Sequence, residues 1–511
     1  MAPTERHSDR ARTAPPRLPD PLLPVLPDRP APEDRAPARR IPPLAAVALL
    51  YGLAQLCYAV AHMNLGWDET VYLSQVDPRH PAAFFSAPRS RGITFLVAPF
   101  VAATSSPLVL RVVLVLLSSA ALYAAFKVWE PLLGRLRPAL AAALFGSLWI
   151  TVLSGPQVMP NLWVALTAVA AVGWFLRARD DGGGRRAHVG LALSLAAATL
   201  FRAPDGVWLA LPLLAACATV RAWRRPGTVA AVLGGLALGG AQWAVEAYVR
   251  FGGIAQRLDI SSDTEGGMGA HLGGGLSAAY RGLDGPLLCR PCRIAAPPLT
   301  HSLWWLLLPV LAAAACGLAL RARRGRAVTL LPVACALSLA APYLLLLDYS
   351  APRFLLPTYA LAALPVAGLA ARALRSARGG RARTAVAVLL CAVLAGHLVV
   401  QLEGLRANAA DARDTTVRYR RAADGLERLG LRAPCLVSGP RAQPIAYEAG
   451  CASAQTMGNN RSTTAAALER AAAREPMAVL YAPEDGYLPP YARGWRPHPL
   501  RGTDWVAYVA P

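Results

Sequence analysis

The sequence predicts an all-α polytopic membrane protein of about eleven transmembrane helices, followed by a small α/β domain. Three observations carry that reading. Of the 511 residues, 55% are hydrophobic and only 16% are charged. The apolar residues fall in long blocks instead of alternating with polar ones, and the positive charge sits in short segments between the blocks.

Residues 1–40 are rich in Pro and Arg and poor in aromatics, so they bury too little apolar surface to fold; a disordered cytoplasmic tail is expected. Apolar blocks follow at 41–63, 107–126, 138–154, 160–176, 187–201, 206–220, 227–245, 302–320, 327–347, 354–371 and 384–402. Several, 187–201 among them, are short for a span. Ala59-Val60-Ala61 resembles a signal-peptidase site, but the tail before the first block is too long for an ordinary leader, so the block is read as a retained helix.

Charge sets the orientation. Arg35, Arg39 and Arg40, then the segments 127–137, 177–186, 221–225, 321–326 and 372–383, are basic and fall on alternate sides of successive blocks, which makes them cytoplasmic. The other loops, and everything from residue 403, fall outside. The expected division is a tail (1–40), a membrane domain (41–402) with large outer loops at 64–106 and 246–301, and an extracytoplasmic α/β domain (403–511). In the last, short apolar runs such as Cys435-Leu436-Val437 and Met477-Ala478-Val479-Leu480-Tyr481 alternate with a helical pattern over 463–474.

A formal charge of +22 would suggest nucleic acid in a soluble protein. Here the cations are arginines, with Lys127 the single lysine, and topology accounts for their positions, so no nucleic-acid partner is expected. Among the nine cysteines, Cys57, Cys217, Cys316, Cys335 and Cys391 lie in apolar blocks as small hydrophobes. Cys289 and Cys292 in the second large loop, and Cys435 and Cys451 in the last domain, fall on the oxidising side as disulfide candidates.

The first outer loop is the most informative stretch. Gly66-Trp67-Asp68-Glu69-Thr70-Val71-Tyr72 is followed by Pro78, His80-Pro81, Phe84-Phe85 and Ser86-Ala87-Pro88-Arg89-Ser90-Arg91-Gly92. Two acids beyond the end of a helix oppose its dipole and call for another explanation. The bland one is that Asp68 caps a short interfacial helix from Glu69 onward. Adjacent side chains on a helix diverge, so Asp68 and Glu69 must have different partners.

This order of features resembles the GT-C glycosyltransferases, in particular the protein O-mannosyltransferase and aminoarabinose-transferase-like group, which use polyprenyl-phosphate sugars. The likeness of layout spans roughly residues 41–371. Ser350-Ala351-Pro352-Arg353-Phe354-Leu355-Leu356-Pro357 looks like that group's Arg-aromatic-x-x-Pro element. The resemblance implies Asp68 as catalytic base. Transfer from a polyprenyl-phosphate sugar needs a carboxylate to take the acceptor's proton and cations to hold the departing phosphate. Glu69 is the second catalytic candidate; Tyr72, Arg89, Arg91, Asn161 and Arg353 are the substrate-binding candidates, and the bland reading of the arginines is that they snorkel to lipid headgroups.

The motif is incomplete in two places. His80-Pro81 and Arg89 stand where related enzymes carry a Lys or a His-Pro-Pro element, and Gln157-Val158-Met159-Pro160-Asn161 lacks the acid of the loop between the third and fourth helices. Asn161 can hydrogen-bond an acceptor but cannot act as a base; were that acid required, Glu69 or Glu246 would have to serve. Arg202-Ala203-Pro204-Asp205 reads as a structural ion pair. The residues mark no cofactor with certainty. A divalent metal ion held by Glu69 with His62, His80, His271 or His301 is the alternative, although their spacing matches no metal motif. The Gly-rich run 266–275 lacks the context of a phosphate loop and is read as flexible.

The expectation is a bacterial cell-membrane glycosyltransferase, mannosyltransferase-like, taking a hexose from a polyprenyl-phosphate donor to a cell-envelope acceptor. The rivals are a transporter or lipid flippase, and a scaffold with a cell-envelope-binding domain. A transporter would keep charges at mid-membrane, whereas here they gather at helix ends.

Overall fold

The computed structural model describes residues 41–511 except 61–62, 181–183, 272, 286–287, 291, 323–324, 459 and 484–485. The expected tail 1–40 and His62 lie outside the described residues. Each apolar block is helical. Among the described residues, eight helices are long and apolar enough to cross a membrane: Pro43–Val60, Pro107–Lys127, Asn161–Arg179, Pro226–Phe251, Leu299–Arg321, Ala327–Leu346, Pro352–Ser376 and Gly380–Arg428. Arg185–Phe201 and Ala203–Thr219 have 17 residues each, and the block expected at 138–154 divides into Leu136–Gly146 and Trp149–Ser154. At that break the side chain of Gln401 supplies the acceptor for the Trp149 N–H, at 3.0 Å. Gly92–Ala103, within the first large loop, is an apolar helix that the block pattern does not reveal.

Small residues set the closest packing in the bundle. Helix Pro226–Phe251 lies against Arg185–Phe201 so tightly that a Cβ at Gly239 would fall 2.1 Å from the Ala196 carbonyl oxygen. Elsewhere the spans expose Leu49, Leu50, Leu53, Leu303, Leu389 and Val393, faces that hydrocarbon solvates well and water does not.

The position 402/403, where the division was expected, lies inside one continuous helix of 49 residues, Gly380–Arg428. Residues beyond it, such as Glu403, Leu405, Arg406 and Ala409, are strong helix formers, so the span runs into the final domain without a break. That domain is a five-stranded sheet of β1 (Leu436–Ser438), β2 (Ala452–Ser453), β3 (Met477–Tyr481), β4 (Arg496–Pro499) and β5 (Val506–Val509) in the order β2-β1-β3-β5-β4. β2, β1 and β3 are parallel; β5 is antiparallel to both neighbours, with Val479 opposite Tyr508. Leu426 of the long helix packs with Val437, Ile445, Leu480 and Ala507 in the domain's core. The helical stretch expected at 463–474 is Ala465–Ala472, capped by the Thr464 hydroxyl. Disulfides join Cys289 to Cys292 and Cys435 to Cys451. The two large loops and the sheet domain gather at one end of the bundle, where Cys289 pairs through its backbone with Ser350 and Tyr447 of the sheet domain reaches Asp77 of the first loop.

Candidate active site

A short helix, Trp67–Leu73, follows the first span. Its cap differs from expectation. Gly66 is the N-cap residue, and its N–H donates to Glu69 Oε2 at 2.8 Å, so Glu69 and not Asp68 closes the first turn. The two adjacent acids point apart, as their spacing requires.

Glu69 is buried and saturated. Arg111, itself 1% exposed, grips it through both terminal guanidinium nitrogens, with Nη2 2.8 Å from Oε2, and the Val158 N–H donates to Oε1 at 2.7 Å. The same guanidinium donates to the carbonyls of Asn64 (2.9 Å) and Pro156 (2.5 Å). This bidentate ion pair ties the first loop to the helices beneath it.

Asp68 faces the other way, with its side chain 26% exposed. Arg89 Nη2 donates to its Oδ1 at 2.7 Å and Arg353 Nη2 to its Oδ2 at 2.8 Å. One carboxylate thus bridges two guanidinium groups that lie 264 positions apart in the chain (353 − 89). Burial alone would raise the Asp68 pKa, but the charges of Arg89 and Arg353, the Arg89 hydrogen bond and the nearby charge of Arg202 outweigh it and leave it below the ordinary carboxylate value. Arg202 also pairs with Asp205 at 3.3 Å, and its guanidinium lies over the rings of Tyr343 and Phe354. The expected structural pair therefore exists, and its cation also acts on the Asp68 site.

The arginines are delivered by rigid pieces. A 3₁₀ turn, Pro352–Leu355, presents Arg353 at the head of helix Leu356–Ser376. Arg89 lies on the segment 86–91, where Ser86 Oγ accepts from its Nε at 3.2 Å and the Tyr72 ring lies 5.1 Å from its guanidinium carbon. The wholly buried Arg257 donates to the carbonyls of Ala87 and Arg89 at 3.0 and 2.9 Å, fixing that segment from behind. Gly92 lets it turn into the next helix, since a Cβ there would fall 2.6 Å from the Leu200 carbonyl oxygen.

Three expected residues have other surroundings. Arg91 is taken up by Glu246 at 2.7 Å and by the Phe85 ring, and Glu246 also binds Arg250 and Arg257. Arg91 thus belongs to an ion network beside the Asp68 site in which Glu246 meets three guanidinium groups. Asn161 is buried at the start of helix Asn161–Asp180, with neither amide atom hydrogen-bonded within the described residues. Tyr72 is buried edge-on against Phe85 and supports Arg89 with its ring.

Among the described residues no three His, Cys, Asp or Glu side chains converge in a way that would hold a metal ion. His80 pairs with Asp77, His271 with the Gly267 carbonyl, and His301 with Asp284 and Glu403, while two guanidinium groups occupy the Asp68 oxygens that a cation would need.

One nearby acid escapes sequence reasoning. Glu265 ends helix Ile254–Thr264 of the second large loop; burial raises its pKa against the fields of Arg202, Arg290 and Arg89, and the charge of Asp68 adds to the rise. A lone acid before Gly266-Gly267 gives no pattern that would mark it.

No protein-family model and no curated protein sequence matches the chain. Solved structures do. ArnT, an aminoarabinose transferase from Cupriavidus metallidurans solved with undecaprenyl phosphate bound, superposes with a TM-score of 0.63 at 12% identity, over 92% of this chain and 97% of its own. Its apo form gives 0.59 at 13% identity over the same shares. The fold is GT-C. The oligosaccharyltransferase AglB from Archaeoglobus fulgidus, solved with an inhibitory peptide and a dolichol-phosphate, shares this GT-C fold at a TM-score of 0.50 and 13% identity, over 80% of this chain and 64% of its own. With the GT-C fold in view, the Asp68 cluster lies where the first loop, the second loop and the turn before a late span meet, at the end of the bundle next to the sheet domain.

Proposed function

We propose that the chain is a membrane glycosyltransferase that takes a sugar from a polyprenyl-phosphate donor and passes it, with inversion, to a hydroxyl on a cell-envelope acceptor at the outer face of a bacterial membrane. One observation carries the reading: in a GT-C fold, a partly exposed carboxylate, Asp68, bridges two guanidinium forks with a third arginine close by. The binding of undecaprenyl phosphate by ArnT and of dolichol-phosphate by AglB supports a polyprenyl-phosphate donor.

The geometry suggests how donor binding prepares the base. Held by Arg89 and Arg353, Asp68 has a lowered pKa and is a weak proton acceptor. A donor phosphodiester competes for the same forks, whose planar nitrogens match phosphate oxygens. As the guanidinium groups turn to the phosphate, Asp68 loses part of the charge that depresses its pKa and becomes more basic. It then takes the acceptor's hydroxyl proton while the hydroxyl oxygen bonds to the anomeric carbon. The bond from that carbon to the phosphate oxygen breaks, and the electron pair leaves with polyprenyl phosphate, whose added negative charge Arg89, Arg353 and Arg202 stabilise. Glu69 is the anchor of the loop, and Asn161 remains the candidate for an acceptor or sugar hydroxyl because both its amide atoms lack partners in the described structure. A hexose, mannose-like, is the donor sugar we favour, with the sheet domain outside the membrane and the N-terminus in the cytoplasm.

The test is transfer from a radiolabelled polyprenyl-phosphate hexose in membranes carrying the wild-type protein or Asp68→Asn at matched levels. Loss of on the order of 10²–10⁴-fold is expected for the variant; equal transfer by both would remove Asp68 as base.

A further inference from the structure

The first loop is held from two sides. From below, Arg111 binds Glu69 and the Asn64 carbonyl. From above, the sheet domain and the long helix that carries it hold the same stretch. Thr416 Oγ1, on helix Gly380–Arg428, accepts the Asn64 N–H at 2.9 Å, and the Asn64 amide nitrogen donates to Glu448 Oε1. Tyr447, the residue before, donates its hydroxyl to Asp77 Oδ2 at 2.5 Å and stacks on His80 with ring centroids 4.0 Å apart. The buried Asn460 amide reaches the Phe84 carbonyl at 3.4 Å. Glu448 and Tyr447 end the single short helix Ala442–Glu448, so one element of the sheet domain grips residue 64 before Asp68 and residues 77 and 80 after it.

We infer that the C-terminal sheet domain positions the reacting carboxylate: Glu448 and Tyr447 hold the two ends of the segment 64–80, and the domain thereby fixes where Asp68 sits relative to Arg353. The pairings are chemically specific. Asn64 presents a donor to an acidic oxygen, and Asp77 collects the Tyr447 hydroxyl, the Arg79 Nε–H and His80 Nδ1 on one carboxylate. The Arg111 anchor fixes the first turn after Asn64, and Arg79, paired with Asp77, ties the start of the following irregular loop to the Val101 and Thr104 carbonyls; the grip of Tyr447 on Asp77 and His80 falls at that same point. Asp68 needs placement to within a fraction of an ångström to meet an acceptor hydroxyl and two arginines together. Tyr447 and Glu448 act through the loop and touch none of the three.

The experiment uses the full chain in lipid nanodiscs and compares wild type, the double variant Tyr447→Phe with Glu448→Leu, and Glu448→Gln, whose side-chain oxygen still accepts from Asn64. Two quantities are read: amide hydrogen exchange over 64–80, and kcat and KM for sugar transfer, the second arm resting on the function proposed above. In the double variant, exchange over 64–80 is expected to rise about tenfold or more while strands β3 and β5 keep their protection. kcat is expected to fall about tenfold with donor KM unchanged, and Glu448→Gln to stay near wild type on both measures. Exchange over 64–80 unchanged in the double variant overturns the inference, as does Glu448→Gln matching the double variant. If β3 and β5 lose protection, Tyr447→Phe alone is judged by the same criteria. Should no protein, wild type included, transfer sugar, the functional reading fails and the exchange data still decide whether the domain holds the loop.

Discussion

Asp68 and Glu69 are neighbours in sequence, yet their surroundings predict opposite phenotypes on neutralisation. In Glu69→Gln, Arg111 would remain buried with no counter-charge. At 2.8 Å and an effective dielectric constant near 20, the attraction lost is roughly 6 kcal/mol, of which the desolvation already spent on both groups leaves a net cost of about 3–5 kcal/mol when one partner is removed. The retained amide oxygen can serve only some of the donors from Gly66, Val158 and Arg111. Asp68→Asn disturbs a pair of ion contacts around a side chain that is 26% exposed, where the stability effect stays within about 1 kcal/mol. The assay pairs thermal unfolding of purified protein in one detergent with transfer activity of the same preparation. Glu69→Gln should melt lower by on the order of 5 °C and keep measurable transfer per folded molecule, while Asp68→Asn should melt close to wild type and transfer nothing measurable. Should Glu69→Gln melt like wild type and abolish transfer, the assignment of anchor and base would be reversed and the reasoning refuted.

Three further outcomes follow from the same structure. On the proposed function, Arg353→Ala and Arg89→Ala should each weaken binding of a polyprenyl phosphate by on the order of 10–100-fold in a lipid-competition assay, with lysine at 353 recovering only part because it lacks the planar fork. Gly92→Val should reduce thermal stability by about 1–3 kcal/mol or more, since its Cβ meets backbone and not a side chain that can swing aside. Acid should loosen the seam between the sheet domain and the first loop. Burial alone would raise the Asp77 pKa, but hydrogen bonds from Arg79, Tyr447 and His80 bring it down to about 2, so its contribution, about 2 kcal/mol, is complete above pH 4 and disappears as pH falls toward 2. Asp77→Asn should flatten that acid response in hydrogen exchange over 64–80.

Most of the architecture was legible because the bilayer imposes long apolar blocks, and each block at 41–402 became helix. The break at Ser147 and the continuity of helix Gly380–Arg428 were not legible, since the first depends on a cap supplied by Gln401 from far along the chain and the second on ordinary helix formers with no stop signal. In the site, divergent partners for Asp68 and Glu69 follow from helix geometry alone. Which acid would be buried does not, because Arg111 lies within an apolar block and reads there as a stray charge. Arg91 and Arg89 look equivalent in sequence; only Glu246, more than 150 residues away, separates them. Arg202 read as half of a structural pair because its effect on Asp68 comes through space, with no motif to announce it.

The unbroken helix Gly380–Arg428 makes the sheet domain the end of a lever. Leu405 and Ala409 still pack in the bundle core and Thr416 holds the Asn64 N–H, so the arm beyond the last of these contacts is residues 417–428, which rise about 18 Å at 1.5 Å per residue, and each degree of tilt displaces its far end by roughly 0.3 Å. A helix whose membrane half packs loosely against the bundle, with Val388, Leu389 and Val393 exposed, answers to the thickness of the surrounding lipid as well as to protein contacts. Bilayer composition would then reach the first loop mechanically, as a change in how firmly residues 447 and 448 press on it.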